Sequence, residues 1–126
     1  MSQPSNQRET AENAYDYGSK DTNFDVVEAY RNIRTNFLFA VSKKENCKRI
    51  VFSSSMPRDG KTTTCVNLAI SLSQIEAQIL LIDCDLRKPR IHKFFGCENV
   101  PGLTNILGGF NSISESIKET RYPNLH

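Results

Sequence analysis

The spacing of apolar side chains predicts one long amphipathic helix from about residue 25 to residue 43. Apolar residues recur there at intervals of three and four, which places them on one face of a helix. They are Val26, Tyr30, Ile33, Phe37 and Val41. Asp25 is the expected N-cap because Glu28 follows it three residues later. Lys43 suits the negative end of the helix dipole.

Two short apolar runs further along the chain have the pattern of buried strands. The first is Arg49–Ser53, and the second is Gln78–Asp83. Between them, Lys61 to about Glu76 reads as a helix that is apolar around most of its circumference, as expected inside an α/β layer. Strand, helix and strand in this order form a right-handed βαβ unit. The expected fold is therefore α/β, with a parallel sheet and flanking helices.

The last third of the chain predicts short helices separated by turn residues. Pro89 and Gly96 punctuate a basic stretch, and a short helix is expected from Leu103 to Leu107. A second is expected from Ser112 to Thr120, where Ser112 and Glu115 form a capping box. Leu125 and His126 have the pattern that opens a further strand.

Composition and charge narrow the class of protein. Residues 1–22 are polar and are expected to form a flexible tail, so residues 23–126 form the folded part. A net charge of +2 gives no argument for nucleic acid as a partner. No signal peptide or membrane span is recognised, and the four cysteines form no Cys-x-x-Cys pair, which indicates free thiols and a cytoplasmic location.

The segment Ser55-x-x-x-x-Gly60-Lys61-Thr62 matches the phosphate-binding P-loop pattern except for serine at its first position. Gly60 lets the backbone approach phosphates, and the amides from Asp59 to Thr62 face the anion at a helix N-terminus. Lys61 is expected to meet the β- and γ-phosphates of ATP. Thr62 is expected to ligate Mg²⁺, and Thr63 to touch the α-phosphate.

A second candidate element stands at the end of the second predicted strand. Asp83 and Asp85 lie where ligands bind in open α/β sheets. One carboxylate is expected to bind Mg²⁺, and the other to accept a proton from an attacking hydroxyl. Lys61, Asp83 and Asp85 are thus the candidate catalytic residues, although a pair of strand-end aspartates is also common in proteins without such a role.

Three charged residues, Glu28, Arg31 and Arg34, lie beside the apolar stripe of the first helix. Such a cluster is most often a solvated face.

In combination, these motifs resemble the bacterial tyrosine kinases of capsule and exopolysaccharide assembly, over about residues 24–126. The segments that carry the resemblance are Glu28–Asn36, Ser54–Thr63, Leu81–Pro89 and Gly102–Leu107. The resemblance implies an ATP- and Mg²⁺-dependent kinase that phosphorylates protein tyrosines, including its own. It also implies that Glu28, Arg31 and Arg34 join subunits into a ring. A membrane-embedded activator would recruit the kinase to the inner face of the cell membrane.

The chain departs from this family in several ways. Arg58 stands where the family often has glycine. A third apolar strand ending in aspartate and a tyrosine-rich tail are both missing, so the chain looks truncated, and we expect no self-phosphorylation by these 126 residues alone.

Two rival interpretations remain open. The first is a partitioning or septum-placement ATPase of the same superfamily, which usually carries lysine where this chain has Met56. The second is an inactive nucleotide-binding or scaffold fragment.

Overall fold

A computed structural model describes residues 23–41 and 46–126 of the chain. The tail predicted for residues 1–22 and the predicted helix end at Lys43 lie outside this part. Within it, the helices are α1 (Phe24–Ala40), α2 (Lys61–Ser73), α3 (Ile91–Phe95), α4 (Leu103–Leu107) and α5 (Ile113–Ser116). None of these helices is long and apolar enough to cross a membrane.

The N-cap of α1 is Asn23, and the prediction of Asp25 was wrong. The Asn23 side-chain oxygen accepts a hydrogen bond from the Asp25 backbone amide over 3.0 Å. Asp25 instead lies in the first turn, where its negative charge suits the positive end of the helix dipole. Both residues favour helix starts, and the path of the preceding backbone decides between them.

The buried core is built around α2. Its residues from Val66 to Ser73 are all buried. Val66, Ala69 and Ile70 form one apolar cluster with Leu125 near the C-terminus. Half-buried side chains from the rest of the chain pack against this cluster: Ile79, Leu81, Ile91, Phe94, Phe95 and Tyr122. The all-round apolar pattern of α2 therefore correctly predicted a central helix.

Helix α1 packs against α2 but buries none of its own residues completely. The Arg34 guanidinium donates a hydrogen bond from Nη1 to the backbone carbonyl oxygen of Ser71, over 2.7 Å. Of the predicted apolar stripe, Ile33 remains 43% exposed. Since the stripe is only partly covered, α1 forms an outer layer on the α2 core.

The described residues do not show the predicted parallel sheet, and they contain one isolated parallel bridge, between Ile79 and Leu125. Its hydrogen bonds run from the Ile79 amide to Asn124 (2.8 Å), from the His126 amide to Ile79 (2.9 Å) and from the Leu81 amide to His126 (2.8 Å). The bridge lies where Leu125 and His126 were expected to open a further strand, and it pairs them with residues 79–81, a pairing that the sequence did not predict.

The prediction of a buried strand at residues 49–53 was wrong for the described structure. This segment is extended and forms no bridge, and Val51 is 90% exposed. An apolar strand is buried only when neighbouring strands and helices cover it. In the described part of the chain no strand pairs with residues 49–53, so Val51 is left open.

The last third of the chain follows local sequence signals closely. Helix α4 has the predicted bounds, and α5 has the predicted capping box, with Ser112 N to Glu115 Oε2 at 2.7 Å and Glu115 N to Ser112 Oγ at 3.3 Å. Helix α5 ends at Ser116, four residues before the predicted end at Thr120. The short α3 was not predicted. It ends at Gly96, which adopts a left-handed φ of 64°.

Candidate functional site

The loop before α2 is an exposed turn closed by two side-chain hydrogen bonds. Ser54 Oγ donates to the backbone carbonyl oxygen of Met56 over 3.1 Å. The Met56 amide donates to Asp59 Oδ2 over 3.2 Å. The Asp59 carboxylate therefore shapes the loop, whereas the sequence suggested only its backbone amide as a functional group.

Two residues of this loop adopt a left-handed backbone conformation. Gly60 has a φ of 79°, and Arg58 has a φ of 67°. Glycine adopts this conformation freely, whereas a residue with a Cβ pays roughly 1–2 kcal/mol. The geometry thus explains why a glycine would suit the position of Arg58.

The N-terminus of α2 is open to an anion. Its N-cap, Gly60, provides no side-chain hydrogen bond to the first turn. The first amides of a helix have no partner within the helix, and they attract negative charge. Lys61 is exposed beside them, and Thr62 and Thr63 are half-buried. The loop and the first turn of α2 thus contain residues 59–63, which the sequence predicts to bind phosphates.

The two predicted carboxylates are tied to the loop that follows them. Asp83 Oδ1 accepts the Asp85 amide at 3.0 Å, and Asp83 Oδ2 accepts the amides of Arg90 (2.8 Å) and Ile91 (3.0 Å). Asp85 Oδ1 accepts the amide of Lys88 at 3.1 Å. Asp83 therefore organises the start of α3, while Asp85 keeps more free capacity for a ligand or a proton.

Packing of α3 on α2 places Asp83 where its charge acts on Cys65 of α2. Ile91 and Phe94 of α3 pack against the α2 cluster. Burial raises the pKa of the Cys65 thiol above its usual value, and the negative charge of Asp83 raises it further. Cys65 lies one turn after Lys61, so Asp83 acts electrostatically on the beginning of α2.

The third predicted cluster is divided between two environments. Arg31 Nη1 lies 3.6 Å from Glu28 Oε2 in an exposed ion pair on α1. Arg34 points the other way, towards Ser71 on α2. Only Glu28 and Arg31 are therefore presented together on the surface of the chain.

The candidate metal ligands suit an ion that is held by few protein groups and takes its other ligands from substrate phosphates and water. In the described part of the chain, no three His, Cys, Asp or Glu side chains form a metal-binding group. Mg²⁺ is commonly held by one or two protein groups together with substrate phosphates and water. The Thr62 hydroxyl and the Asp85 carboxylate are of that type.

A separate apolar cleft of about 620 Å³ lies beside residues 80–83. Asp83 lines it, and none of residues 55–63 does. The cleft and the open N-terminus of α2 are therefore separate features of the described surface. The sequence did not predict that the Lys88, Arg90 and Ile91 amides bind the two aspartates. An aspartate at a strand end, followed by a short turn and a helix, was the available signal.

A turn that closes on Gly-Lys-Thr at the start of a core helix defines the class of P-loop nucleotide-binding proteins. Residues 55–63 have this arrangement. Comparison with known proteins places the chain more narrowly, although no protein-family model matches it.

The chain is similar to several bacterial kinases. It is 41% identical over 98 residues to tyrosine-protein kinase YwqD of Bacillus subtilis, covering 78% of this chain and 41% of that protein. It is 40% identical over 100 residues to tyrosine-protein kinase wzc of Salmonella typhimurium, covering 79% and 14%. It is 36% identical over 101 residues to the putative tyrosine-protein kinase CapB of Staphylococcus aureus, covering 80% and 44%.

Solved structures agree with these relatives. The chimerical protein CapA2B2 matches with a TM-score of 0.73 and 30% identity, covering 93% of this chain and 49% of that one. The BceF tyrosine kinase domain matches with a TM-score of 0.69 and 32% identity, covering 79% and 38%. The chain is therefore a relative of the bacterial tyrosine-protein kinases, and it spans less than half the length of these relatives.

Proposed function

We propose that this chain is the nucleotide-binding part of an ATP-dependent protein-tyrosine kinase that regulates capsular or exopolysaccharide polymerisation and export. One observation carries the proposal: α2 begins at an uncapped Gly-Lys-Thr and carries Cys65, whose pKa is raised by burial and by the charge of Asp83, in a chain that is 41% identical to a tyrosine-protein kinase. The relatives' names do not favour a partitioning-type ATPase.

Each residue of the phosphate site has a separate task in this proposal. The amides of Asp59 and Gly60 surround the phosphates, and Lys61 supplies a positive charge at the β- and γ-positions. The Thr62 hydroxyl holds Mg²⁺ with the nucleotide, and Thr63 contacts the α-phosphate. When bound, Mg²⁺ neutralises charge that develops on the transferred group.

The acceptor tyrosine is activated by the aspartate pair. The tyrosine hydroxyl oxygen attacks the γ-phosphorus, its proton passes to a carboxylate, and ADP leaves. Asp85 is the better candidate for direct contact with the metal or the proton, since Asp83 already accepts three backbone amides. Asp83 then acts mainly by holding the loop that carries Asp85.

The proposal also includes a parallel sheet, a ring of subunits and a membrane-embedded activator. The bridge between Ile79 and Leu125 belongs to a larger parallel sheet with flanking helices. Glu28 and Arg31 contact a neighbouring subunit of a ring, supported by their exposure on α1. A membrane-embedded activator recruits this cytoplasmic kinase to the inner face of the membrane.

A chimera tests the kinase assignment. The segment of B. subtilis YwqD that matches this chain is replaced by the chain's own residues 24–126, and phosphotyrosine is detected after incubation with Mg·ATP. We expect self-phosphorylation, which Lys61→Met should abolish. Unaltered YwqD is the positive control. A folded chimera that binds Mg·ATP as YwqD does but forms no phosphotyrosine would overturn the proposal.

A further inference from the structure

Four cations surround the start of α3. They are Arg87, Lys88, Arg90 and Lys93, and all four are exposed. No acidic residue lies between Leu86 and Cys97. Within residues 23–41 and 46–126, none of the four side chains forms an ion pair. We call residues 87–93 the basic loop.

Backbone hydrogen bonds hold the basic loop against the candidate catalytic carboxylates. The Lys88 amide donates to Asp85, and the Arg90 amide donates to Asp83. Ile91 then anchors α3 on the core of α2. Because these bonds use backbone groups, the cationic side chains remain available to solvent. The result is a positively charged rim at a fixed position beside Asp83 and Asp85.

We propose that the basic loop binds acidic side chains that flank the acceptor tyrosine of a protein substrate. The inference rests on the proposed kinase function, because it requires a tyrosine to reach Asp83 and Asp85. Exposed charge pairs contribute little individually, but several of one sign beside a reaction site select partners and speed their encounter. Arginine also pairs with carboxylates through two parallel hydrogen bonds.

The surface fits an acidic peptide better than the nucleotide or a nucleic acid. The open N-terminus of α2 and Lys61 already provide the donors for nucleotide phosphates. A nucleic acid requires a longer basic track, because binding rests on roughly 6–10 phosphate contacts in typical cases. Here the basic loop contributes four cations, and the whole chain has 16 basic and 14 acidic residues.

Peptide binding without turnover tests the inference. Three labelled peptides carry one tyrosine flanked by glutamate, glutamine or lysine. Their affinities for the 126-residue chain are measured by fluorescence anisotropy at low salt with saturating Mg·ADP. We expect the glutamate peptide to bind about tenfold more tightly than the glutamine peptide, and the preference to fade in high salt.

Matched charge reversals locate the effect. Arg87→Glu and, independently, Lys88→Glu should reduce the glutamate preference to within about threefold. Arg49→Glu is the control, because Arg49 is also exposed but lies at the far end of the segment leading to the phosphate loop. It should leave the preference unchanged. Circular dichroism checks that each variant keeps its helices, and binding is compared only among variants that do.

Several results would overturn the inference. They are an absent glutamate preference in the parent chain, equal loss in Arg49→Glu, or a full preference in both loop variants. Displacement of the glutamate peptide by an oligonucleotide of equal charge at a lower concentration would identify a nucleic-acid surface instead. Phosphotyrosine formation by the YwqD chimera is read separately, so a failed kinase assignment and a failed peptide preference give different results.

Discussion

Arg34 on α1 donates a hydrogen bond to the backbone carbonyl oxygen of Ser71 on α2, over 2.7 Å. This bond joins the outer helix to the helix that begins at the proposed phosphate-binding loop. The Arg31 side chain, three residues earlier, forms an exposed ion pair with Glu28 on the same helix. Two arginines that look equivalent in the sequence therefore have different roles, one within the chain and one on its surface.

The first prediction separates these two arginines. Arg34→Ala removes a charged donor from the carbonyl of the buried Ser71, so the free energy of unfolding should fall by about 1–2 kcal/mol. Arg31→Ala breaks only an exposed pair and should change it by less than about 0.5 kcal/mol. Urea denaturation of both variants provides the measurement. Equal losses would contradict the different roles.

The second prediction concerns Lys61. Lys61→Met removes the positive charge beside the open N-terminus of α2, so the affinity for Mg·ADP should fall at least about tenfold. Lys93→Met removes a similar exposed charge on α3 and serves as the control, with affinity expected to stay within about twofold. Isothermal titration calorimetry measures both. Unchanged affinity in Lys61→Met would exclude this loop as the nucleotide site.

The third prediction concerns the two aspartates. Asp83→Asn keeps the shape but leaves one oxygen to accept three backbone amides, so stability should fall by about 1–3 kcal/mol. Asp85→Asn disturbs one such bond and should cost less than Asp83→Asn in urea denaturation. In the YwqD chimera, either change should reduce phosphotyrosine formation far more than nucleotide affinity. Undiminished self-phosphorylation in both variants would refute their catalytic role.

The fourth prediction uses Arg58. Its φ of 67° is unfavourable for any residue with a Cβ. Arg58→Gly should therefore raise the free energy of unfolding by about 0.5–1 kcal/mol, after the entropy that glycine loses on folding. Arg58→Ala removes the same charge but keeps the strain, and it should give no such gain. If alanine stabilises as much as glycine, then charge and not backbone conformation is responsible.

The fifth prediction compares Cys65 with Cys84. The pKa of Cys65 is raised by burial and by Asp83, so less of its reactive thiolate exists at mildly basic pH. Iodoacetamide should modify the exposed Cys84 well before Cys65, as followed by peptide mass spectrometry.

The same shift has a consequence for stability. A thiol with a raised folded-state pKa supports the fold below its unfolded pKa, and that support is lost as pH rises through the folded value. In Cys65→Ala, the free energy of unfolding should therefore fall less steeply with pH above about pH 9 than it does in the parent chain. Faster alkylation of Cys65 than of Cys84 in the native chain would contradict the raised pKa of the Cys65 thiol.

Local signals in the sequence determined several elements correctly. Helix α4 was predicted within its observed bounds, and the Ser112–Glu115 capping box was predicted where it forms. The start of α2 at Lys61 followed from Gly60. These features depend on residues a few positions apart, so the amino-acid order alone contains the interactions that stabilise them.

Only the tertiary structure decided how the predicted pieces meet. Asp83 caps α3 across seven and eight residues, and Arg34 reaches Ser71 across 37. Neither pairing leaves a periodic signal, because each depends on which helix packs on α2. Val51 shows the same limit, since its apolar strand pattern was clear but its exposure depends on neighbours elsewhere in the fold. Residue type and spacing determined the candidate chemistry, and packing on the α2 core decided which of those residues are free to perform it.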